Sequence, residues 1–211
     1  MDEKIDALDE QGKPTGKVVW KSEAHREGIW HGCFHCWVFG KEKNGEPYLL
    51  VQRRAVGKDT WPGRLDVTAA GHLAAGEETL DGLRELEEEL GLSPDPDRLL
   101  PLGNRRIEQD ILQGCDREFH DVFLLHDSTL PEDLRLQEEE VESVLRLSLD
   151  SVEKLEVGEA VSAVEWKKEE PTFVGVTLED FVPNEEDYLS RVARAASRAL
   201  AGDEPGRIFE P

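Results

Sequence analysis

The spacing of leucine and glutamate between residues 80 and 92 constrains the fold more than any other feature. At about 100° per residue, three leucines fall on one face of a helix: Leu83, Leu86 and Leu90. Three acidic residues share the roughly opposed face: Glu85, Glu88 and Glu89. The leucines can anchor the helix to a sheet, whereas like charges three and four residues apart repel each other. A hard divalent cation such as Mg²⁺ binds carboxylate oxygens, and its positive charge would remove that repulsion. The pattern predicts a helix over residues 80–90 that ends at Gly91 and binds a cation. The alternative is a solvated acidic surface helix.

Alternating apolar residues and turn signals predict strands along much of the remaining chain. A hairpin is expected near the N-terminus, turning between Gly12 and Gly16, and a second hairpin turns at Asn44-Gly45. Further strands are expected over these segments: 99–106, 119–126 and 141–149. Residues 59–78 are rich in glycine and alanine, and we expect a loop there.

The C-terminal part is expected to be helical. A short helix is predicted over 151–155, and a longer one over 184–201 with Asn184 as its N-cap. The tail, residues 203–211, is expected to be loose. Together the elements predict an α+β fold: one domain, with a mixed sheet and a core of about 18–155, extended by the N-terminal hairpin and the C-terminal helix.

The charge of the chain excludes some classes of partner. With 47 acidic and 25 basic residues, the formal net charge is -22, which repels nucleic acids and anionic membranes. No apolar run reaches the roughly 18 residues of a membrane span, and the acidic N-terminus is not a secretory signal. We therefore expect a cytoplasmic protein with a small-molecule partner, and assembly as a homodimer is left open.

Three cysteines are present: Cys33, Cys36 and Cys115. An odd number argues against a disulfide framework. Cys33 and Cys36 superficially form a metal or redox pair, with His31 and His35 beside them. Because the segment reads as a strand, however, positions 33 and 36 face opposite sides of the sheet, and no second cysteine pair completes a tetrahedral site. Buried strand cysteines are the preferred interpretation.

The run RELEEELGL that begins at Arg84, with Gly71 and Glu77 upstream, resembles the box of the Nudix hydrolase superfamily. The resemblance implies an α/β/α sandwich and a Mg²⁺ or Mn²⁺ cofactor. It also implies the metal ligands, by position: Glu85, Glu88 and Glu89. Arg84, Glu85 and Glu88 would be catalytic, and Gly71 and Glu77 would support the site, Glu77 through an ion pair with Arg84.

One departure from the family pattern concerns Glu77. The family has seven residues between its first glutamate and its arginine, whereas this chain has six, so alignment from Arg84 places Gly76 at the glutamate position. Glu77 is the nearest substitute. Gly82 also weakens the first turn of the helix, by about 1 kcal/mol relative to alanine.

The upstream half resembles the isopentenyl-diphosphate isomerase branch of this superfamily. The similarity rests on His25, His31, the run QRR at 52–54, Lys58 and WPG at 61–63. It implies a diphosphate held by cations and His72, and a metal bound with the help of the first two histidines. The nominated substrate-binding residues are Arg53, Arg54, Lys58 and His72. A solvent-facing strand end is the alternative for the two arginines.

The isomerase pattern also requires a thiol, close to Thr-x-Cys-x-His. Here Thr68 to His72 has Ala70 in place of the cysteine, so an alkene would lack its acid–base partner. The spacing from His25 to His31 is also shorter by one residue. The preferred function is therefore Mg²⁺-dependent hydrolysis of a nucleoside diphosphate derivative or related diphosphate. The alternatives are an isomerase-like enzyme and a non-catalytic Nudix-fold binding protein.

The expected mechanism is attack on phosphorus by a water that the metal acidifies. The proton of that water needs a general base. Glu88 could serve, or an acid from the loop at residues 138–142, of which Glu139 and Glu140 are nominated.

Overall fold

The computed structural model describes residues 2–167, 170–184 and 187–210. The described chain begins with an antiparallel hairpin of β1 (Lys4–Leu8) and β2 (Pro14–Trp20), which confirms the first predicted hairpin. Helix α1 (Lys21–Glu27) follows and was not predicted. Gly28 ends α1 in the left-handed conformation, at a φ of 64°, and Ala24 and His25 form its buried side. The helix thereby carries His25 toward the main sheet.

The main sheet contains nine strands in the described part of the chain. They are β3 (His31–Lys41), β4 (Pro47–Arg54), β5 (Leu65–Asp66), β6 (Ala69–His72), β7 (Leu99–Ile111), β8 (Gly114–His126), β9 (Val141–Ser148), β10 (Val161–Lys167) and β11 (Glu170–Val176). Their order is β11-β10-β9-β4-β3-β8-β7, with β5 beside β4 and β6 beside β3. Strands β3 and β8 are parallel and the other paired strands are antiparallel, so the sheet is mixed, as predicted.

Helices cover both faces of this sheet. On one face, Leu86 and Leu90 of α2 (Arg84–Leu90) pack into a buried cluster with Phe34 and Cys36 of β3. On the other face, α3 (Leu149–Glu156) and α4 (Tyr188–Leu200) pack into a cluster that includes Trp37. Side chains along β3 alternate between the two faces, as its buried strand pattern requires. The result is the predicted α/β/α sandwich. None of the helices in the described residues is long and apolar enough to cross a membrane.

The expectation of a loop over residues 59–78 was wrong in part. Two short strands lie within it: β5 pairs with β4, and β6 pairs with β3 from Cys33↔His72 to Cys36↔Ala69. Their sequences are short and rich in alanine and glycine, so they lack the alternation that identifies a strand. Strands β10 and β11 were also not predicted.

The predicted C-terminal boundaries also need correction. Helix α4 begins at Tyr188, and its N-cap is Asp187 rather than Asn184; residues 185 and 186 lie outside the described residues. The Asn184 side chain instead donates to the Val182 carbonyl and accepts a hydrogen bond from Arg105. The tail is not loose through residue 210, because Phe209 is buried and its backbone N–H donates to the Leu102 carbonyl at 3.0 Å. Residue 211 lies outside the described residues.

Candidate active site

Two glycines allow the acidic helix to approach the sheet closely. A short 3₁₀ helix, Thr79–Leu83, leads directly into α2. Gly82 in this segment lies against Phe34, and a Cβ atom at position 82 would overlap that ring. A Cβ atom at Gly71 of β6 would likewise overlap the Glu85 carboxylate. Gly82 therefore weakens the helix but permits its docking, and Gly71 provides the space that the Glu85 side chain occupies. Gly91 ends α2 at a φ of 72°, as predicted.

The three nominated metal ligands differ greatly in burial. Glu89 is only 3% exposed, whereas the Glu88 side chain is 54% exposed and Glu85 is intermediate. Burial and the neighbouring Glu85 raise the pKa of Glu89 to about 8. Burial, together with Glu88, also raises the pKa of Glu85. The chain's own groups give Glu89 little compensation, since Gln52 Nε2 and the Ala70 N–H donate to it only at 3.3 and 3.4 Å. A hard divalent cation fits this set of oxygen donors because it would stabilise their ionised forms.

Arg84 connects this helix to the preceding loop and to β6. Its Nε and Nη2 donate to the two Glu77 oxygens at 2.9 and 3.1 Å, and Nη2 also donates to the His72 carbonyl at 2.9 Å. Arg84 additionally contacts Glu85, and Nη1 lies 3.7 Å from Glu88 Oε2. Hydrogen bonds from Arg84 lower the pKa of Glu77. The predicted ion pair is therefore present despite the shortened loop.

A second group of metal-ligating side chains lies where α1 meets strands β3, β6 and β8. Four residues bring donor atoms within 4.8 Å of one another: His25, His31, His72 and Glu118. The strand pairs His31↔Glu118 and Cys33↔His72 bring three of them together, and α1 supplies the fourth. His31 Nδ1 donates to the Ile29 carbonyl at 2.8 Å, and Nε2 faces the cluster 3.5 Å from Glu118 Oε1. Such a set suits a cation that accepts both nitrogen and oxygen ligands.

The electrostatics of this group are strongly perturbed. Burial lowers the pKa of His25 to about 4, and His72 and His31 act in the same direction. Burial also lowers the pKa of His72, but hydrogen bonds to Glu118 and Glu3 outweigh it and raise the value to about 9. Asp116 lies 3.5 Å from His25, and burial beside Glu118 raises the pKa of its carboxyl to about 7. Asp116 and Glu118 were not predicted as site residues, although both lie on one face of β8 at a spacing of two residues.

The three cations nominated for substrate binding are already paired with acids. Arg53 donates to Glu165 at 2.6 Å, Arg54 donates to Asp66 at 2.8 Å, and Lys58 contacts Glu140. Any diphosphate that reaches these cations would therefore have to compete with these carboxylates.

The nominated acidic loop lies at the C-terminal end of α2. The Gln137 N–H donates to the Glu89 carbonyl at 3.0 Å, which holds the loop against the helix. Within the loop, Glu139 is exposed and Glu140 is half-buried beside Lys58. Glu139 also lines an open cavity of about 690 Å³ whose walls include Val56, Leu134 and Leu136. The cavity could accept an apolar or planar group next to the carboxylates.

Comparisons with known proteins agree with this geometry. The family model described as NUDIX domain matches residues 30–167. The chain is 36% identical over 151 residues to an uncharacterized Nudix hydrolase of Clostridium acetobutylicum, covering 72% of each chain. It is 42% identical over 89 residues to an isopentenyl-diphosphate Delta-isomerase of Corynebacterium diphtheriae, covering 41% of this chain and 46% of that one. Among solved structures, a Deinococcus radiodurans protein superposes with a TM-score of 0.55 at 20% identity, covering 74% of this chain and 91% of the other.

Proposed function

This chain belongs to the Nudix domain family and is a pyrophosphohydrolase, and we propose that it cleaves the P–O–P bridge of a nucleoside diphosphate derivative or related diphosphate with Mg²⁺ or Mn²⁺ as cofactor. The single observation that carries the metal assignment is the buried, weakly compensated Glu89 beside Glu85. Burying two adjacent carboxylates is unfavourable unless a cation or proton neutralises them.

In this proposal Glu85, Glu88 and Glu89 hold the divalent cation. When bound, such a cation supplies charge neutralisation of phosphoryl oxygens and acidifies water. Arg84 orients Glu85 through their direct contact, while Glu77 and the His72 carbonyl fix the guanidinium itself. Gly71 keeps open the space that the Glu85 carboxylate needs.

The general base is assigned to Glu88 on the basis of its exposure. A base must reach the water from which it removes a proton, and the Glu88 side chain is 54% exposed beside the other two carboxylates. Glu139 and Glu140 are the alternatives. Glu140 is engaged with Lys58, which leaves Glu139, exposed at the cavity, as the stronger of the two.

We place the substrate between the carboxylate face of α2 and the ends of β4 and β6. Arg53, Arg54 and Lys58 would exchange their acidic partners for phosphoryl oxygens, since guanidinium and ammonium groups bind both kinds of anion. His72, held between Glu118 and Glu3, would contribute from β6.

The cluster of His25, His31, His72 and Glu118 favours a second candidate function, an isomerase-like reaction. The resemblance to the isomerase branch implies a metal at these histidines. Ala70 opposes this reading because it puts a methyl group where that branch needs a thiol. A binding protein without activity is the remaining alternative, and the intact carboxylate trio argues against it.

A panel of diphosphate compounds tests the proposal. The panel should contain nucleoside diphosphate derivatives and isopentenyl diphosphate, each incubated with Mg²⁺ or Mn²⁺ and followed by ³¹P NMR. We expect hydrolysis of at least one P–O–P bridge, with none in the presence of chelator. Release of the isomeric diphosphate without hydrolysis would support the isomerase instead, and tight binding without turnover would support the binding protein.

The proposal also includes a cytoplasmic location and leaves a homodimer open. The three free cysteines fit a reducing compartment. Sedimentation of the purified chain would establish its assembly.

A further inference from the structure

A separate buried cluster of one cysteine and two histidines lies on the same sheet face as the histidine–glutamate group. Cys33 of β3 pairs with His120 of the parallel strand β8, and His35 follows two residues later on the same face. All three side chains are buried, with residue exposures of 4%, 3% and 8% for Cys33, His120 and His35. The imidazole rings of His35 and His120 stack at 3.8 Å between centroids.

The donor atoms of this cluster are close enough to share one ion. One ligand atom from each residue lies within 4.8 Å of the others. A tetrahedral zinc ion, with bonds of about 2.0–2.3 Å, requires donor atoms about 3.3–3.6 Å apart. Because the His35 and His120 rings stack with their planes 24° apart, one ring must rotate out of the stack before both lone pairs point at the same ion. We infer that Cys33, His35 and His120 form a binding site for a borderline-soft divalent cation such as Zn²⁺, distinct from the carboxylate face of α2.

Two buried nitrogen atoms point to a ligand at this site. Nδ1 of His35 and Nδ1 of His120 have no hydrogen-bond partner among the described residues. Buried polar atoms normally have a partner, and a cation would satisfy both nitrogens together.

Glu118 orients one of the ligands and connects the site to its neighbour. Its Oε2 lies 2.6 Å from His120 Nε2, which donates the proton and leaves a lone pair on Nδ1. This is the arrangement in which a carboxylate fixes the ring of a metal-bound histidine. The other Glu118 oxygen lies 3.1 Å from His72 Nε2, in the cluster with His25 and His31. Ions at the two clusters would therefore share Glu118.

Cys33 distinguishes this site chemically from both of the others. Neither the acidic face of α2 nor the histidine–glutamate group contains sulfur. The Cys33 thiol donates to the Gly71 carbonyl at 3.1 Å. A coordinating metal deprotonates a thiol outright, so an ion bound here would hold Cys33 as its thiolate. The inference does not depend on the hydrolase assignment.

Cobalt titration tests the site directly. The full-length protein, stripped of metal and kept under argon, is titrated with Co²⁺ and followed by near-ultraviolet absorption. We expect a thiolate-to-cobalt charge-transfer band that saturates with one thiolate-bound ion per chain. Cys33→Ser should abolish the band, and His120→Ala should weaken cobalt binding at least tenfold. Cobalt bound elsewhere gives no such band, so loss of the hydrolase proposal would leave this result unchanged.

The chain offers a matched control in Cys36. This residue is as buried as Cys33 but faces the cluster that packs against α2. The double variant Cys36→Ser/Cys115→Ser should keep the band, because Cys33 is then the one cysteine left. This result assigns the band to Cys33 even if the Cys33→Ser variant does not fold. X-ray absorption of the zinc-loaded protein should show one sulfur at about 2.3 Å. A wild-type protein without the band, or a metal shell without sulfur, would overturn the inference.

Discussion

Replacing Glu89 by glutamine should stabilise the metal-free protein. Burial raises the pKa of Glu89 to about 8, against an ordinary value of 4.5. When the pKa of a carboxyl is higher in the folded protein than in the unfolded chain, the free energy of unfolding falls as the pH rises above the unfolded-state pKa. The unfolded chain releases its proton first and is thereby favoured. The loss amounts to about 1.36 kcal/mol per pH unit between the two values. At pH 7 it reaches about 3 kcal/mol, and at pH 5 it stays below about 1 kcal/mol. Glutamine lacks this titration and keeps an oxygen to accept from Gln52 and the Ala70 N–H.

Urea unfolding in the presence of chelator measures this effect. With a slope of about 1–3 kcal/mol/M, Glu89→Gln should raise the midpoint at pH 7 by about 1 M or more. Added Mg²⁺ at one hundred times its Kd should restore about 2.7 kcal/mol to the wild type and less to the variant. Glu88→Gln, whose side chain is 54% exposed, is the control and should change stability by less than about 0.5 kcal/mol. The reasoning would be refuted by a Glu89→Gln variant that is no more stable to urea than the wild type at pH 7. A gain in the free energy of unfolding that is the same at pH 5 and pH 7 would refute it as well.

Three other predictions follow from the site. Gly71→Ala should lower kcat by about a hundredfold or more with little loss of stability, because the new methyl group displaces the flexible Glu85 carboxylate; unchanged kcat would show that the Glu85 position is unimportant. Mg²⁺ should raise the melting temperature and chelator should abolish turnover, since a ligand bound only by the folded chain stabilises it; insensitivity of both to chelator would exclude the metal site. Isopentenyl diphosphate should give no dimethylallyl isomer, because Ala70 offers no thiol to move a proton; an isomer detected by ³¹P and ¹H NMR would establish the isomerase.

The helix and its acidic face could be predicted because the signal is local. The spacing of Leu86 and Leu90 with the glutamates, and Gly91 as terminator, depends only on helical periodicity. The hairpin at Asn44-Gly45 is local in the same sense. The burial of individual glutamates could not be predicted. Sequence spacing places Glu88 and Glu89 on one face of the helix, but it does not show that Glu89 is buried against β4 and β6 while Glu88 is exposed.

Residues contributed by distant strands were the hardest to anticipate. Glu118 comes close to His31 and His72 because two strands flank β3. Strand β8 runs parallel to β3 on one side, and the short strand β6 pairs with part of β3 on the other side. The sequence predicted β8 from residue 119 onward, which left Glu118 outside the strand and its face undefined. The partner of Arg53 was missed for the same reason, since Glu165 lies on β10, a strand that was not predicted.

The most direct test of the central claim compares single glutamate substitutions along α2. Glu85→Gln, Glu88→Gln and Glu89→Gln are assayed for Mg²⁺-dependent hydrolysis on the best substrate of the panel, beside Glu87→Gln on the exposed side of the same helix. The proposed mechanism predicts that kcat/KM falls by at least about a hundredfold, about 2.7 kcal/mol, in the first three and stays near wild type in Glu87→Gln. Activity that survives in the three variants, or falls equally in Glu87→Gln, would contradict the assignment of this carboxylate face to catalysis.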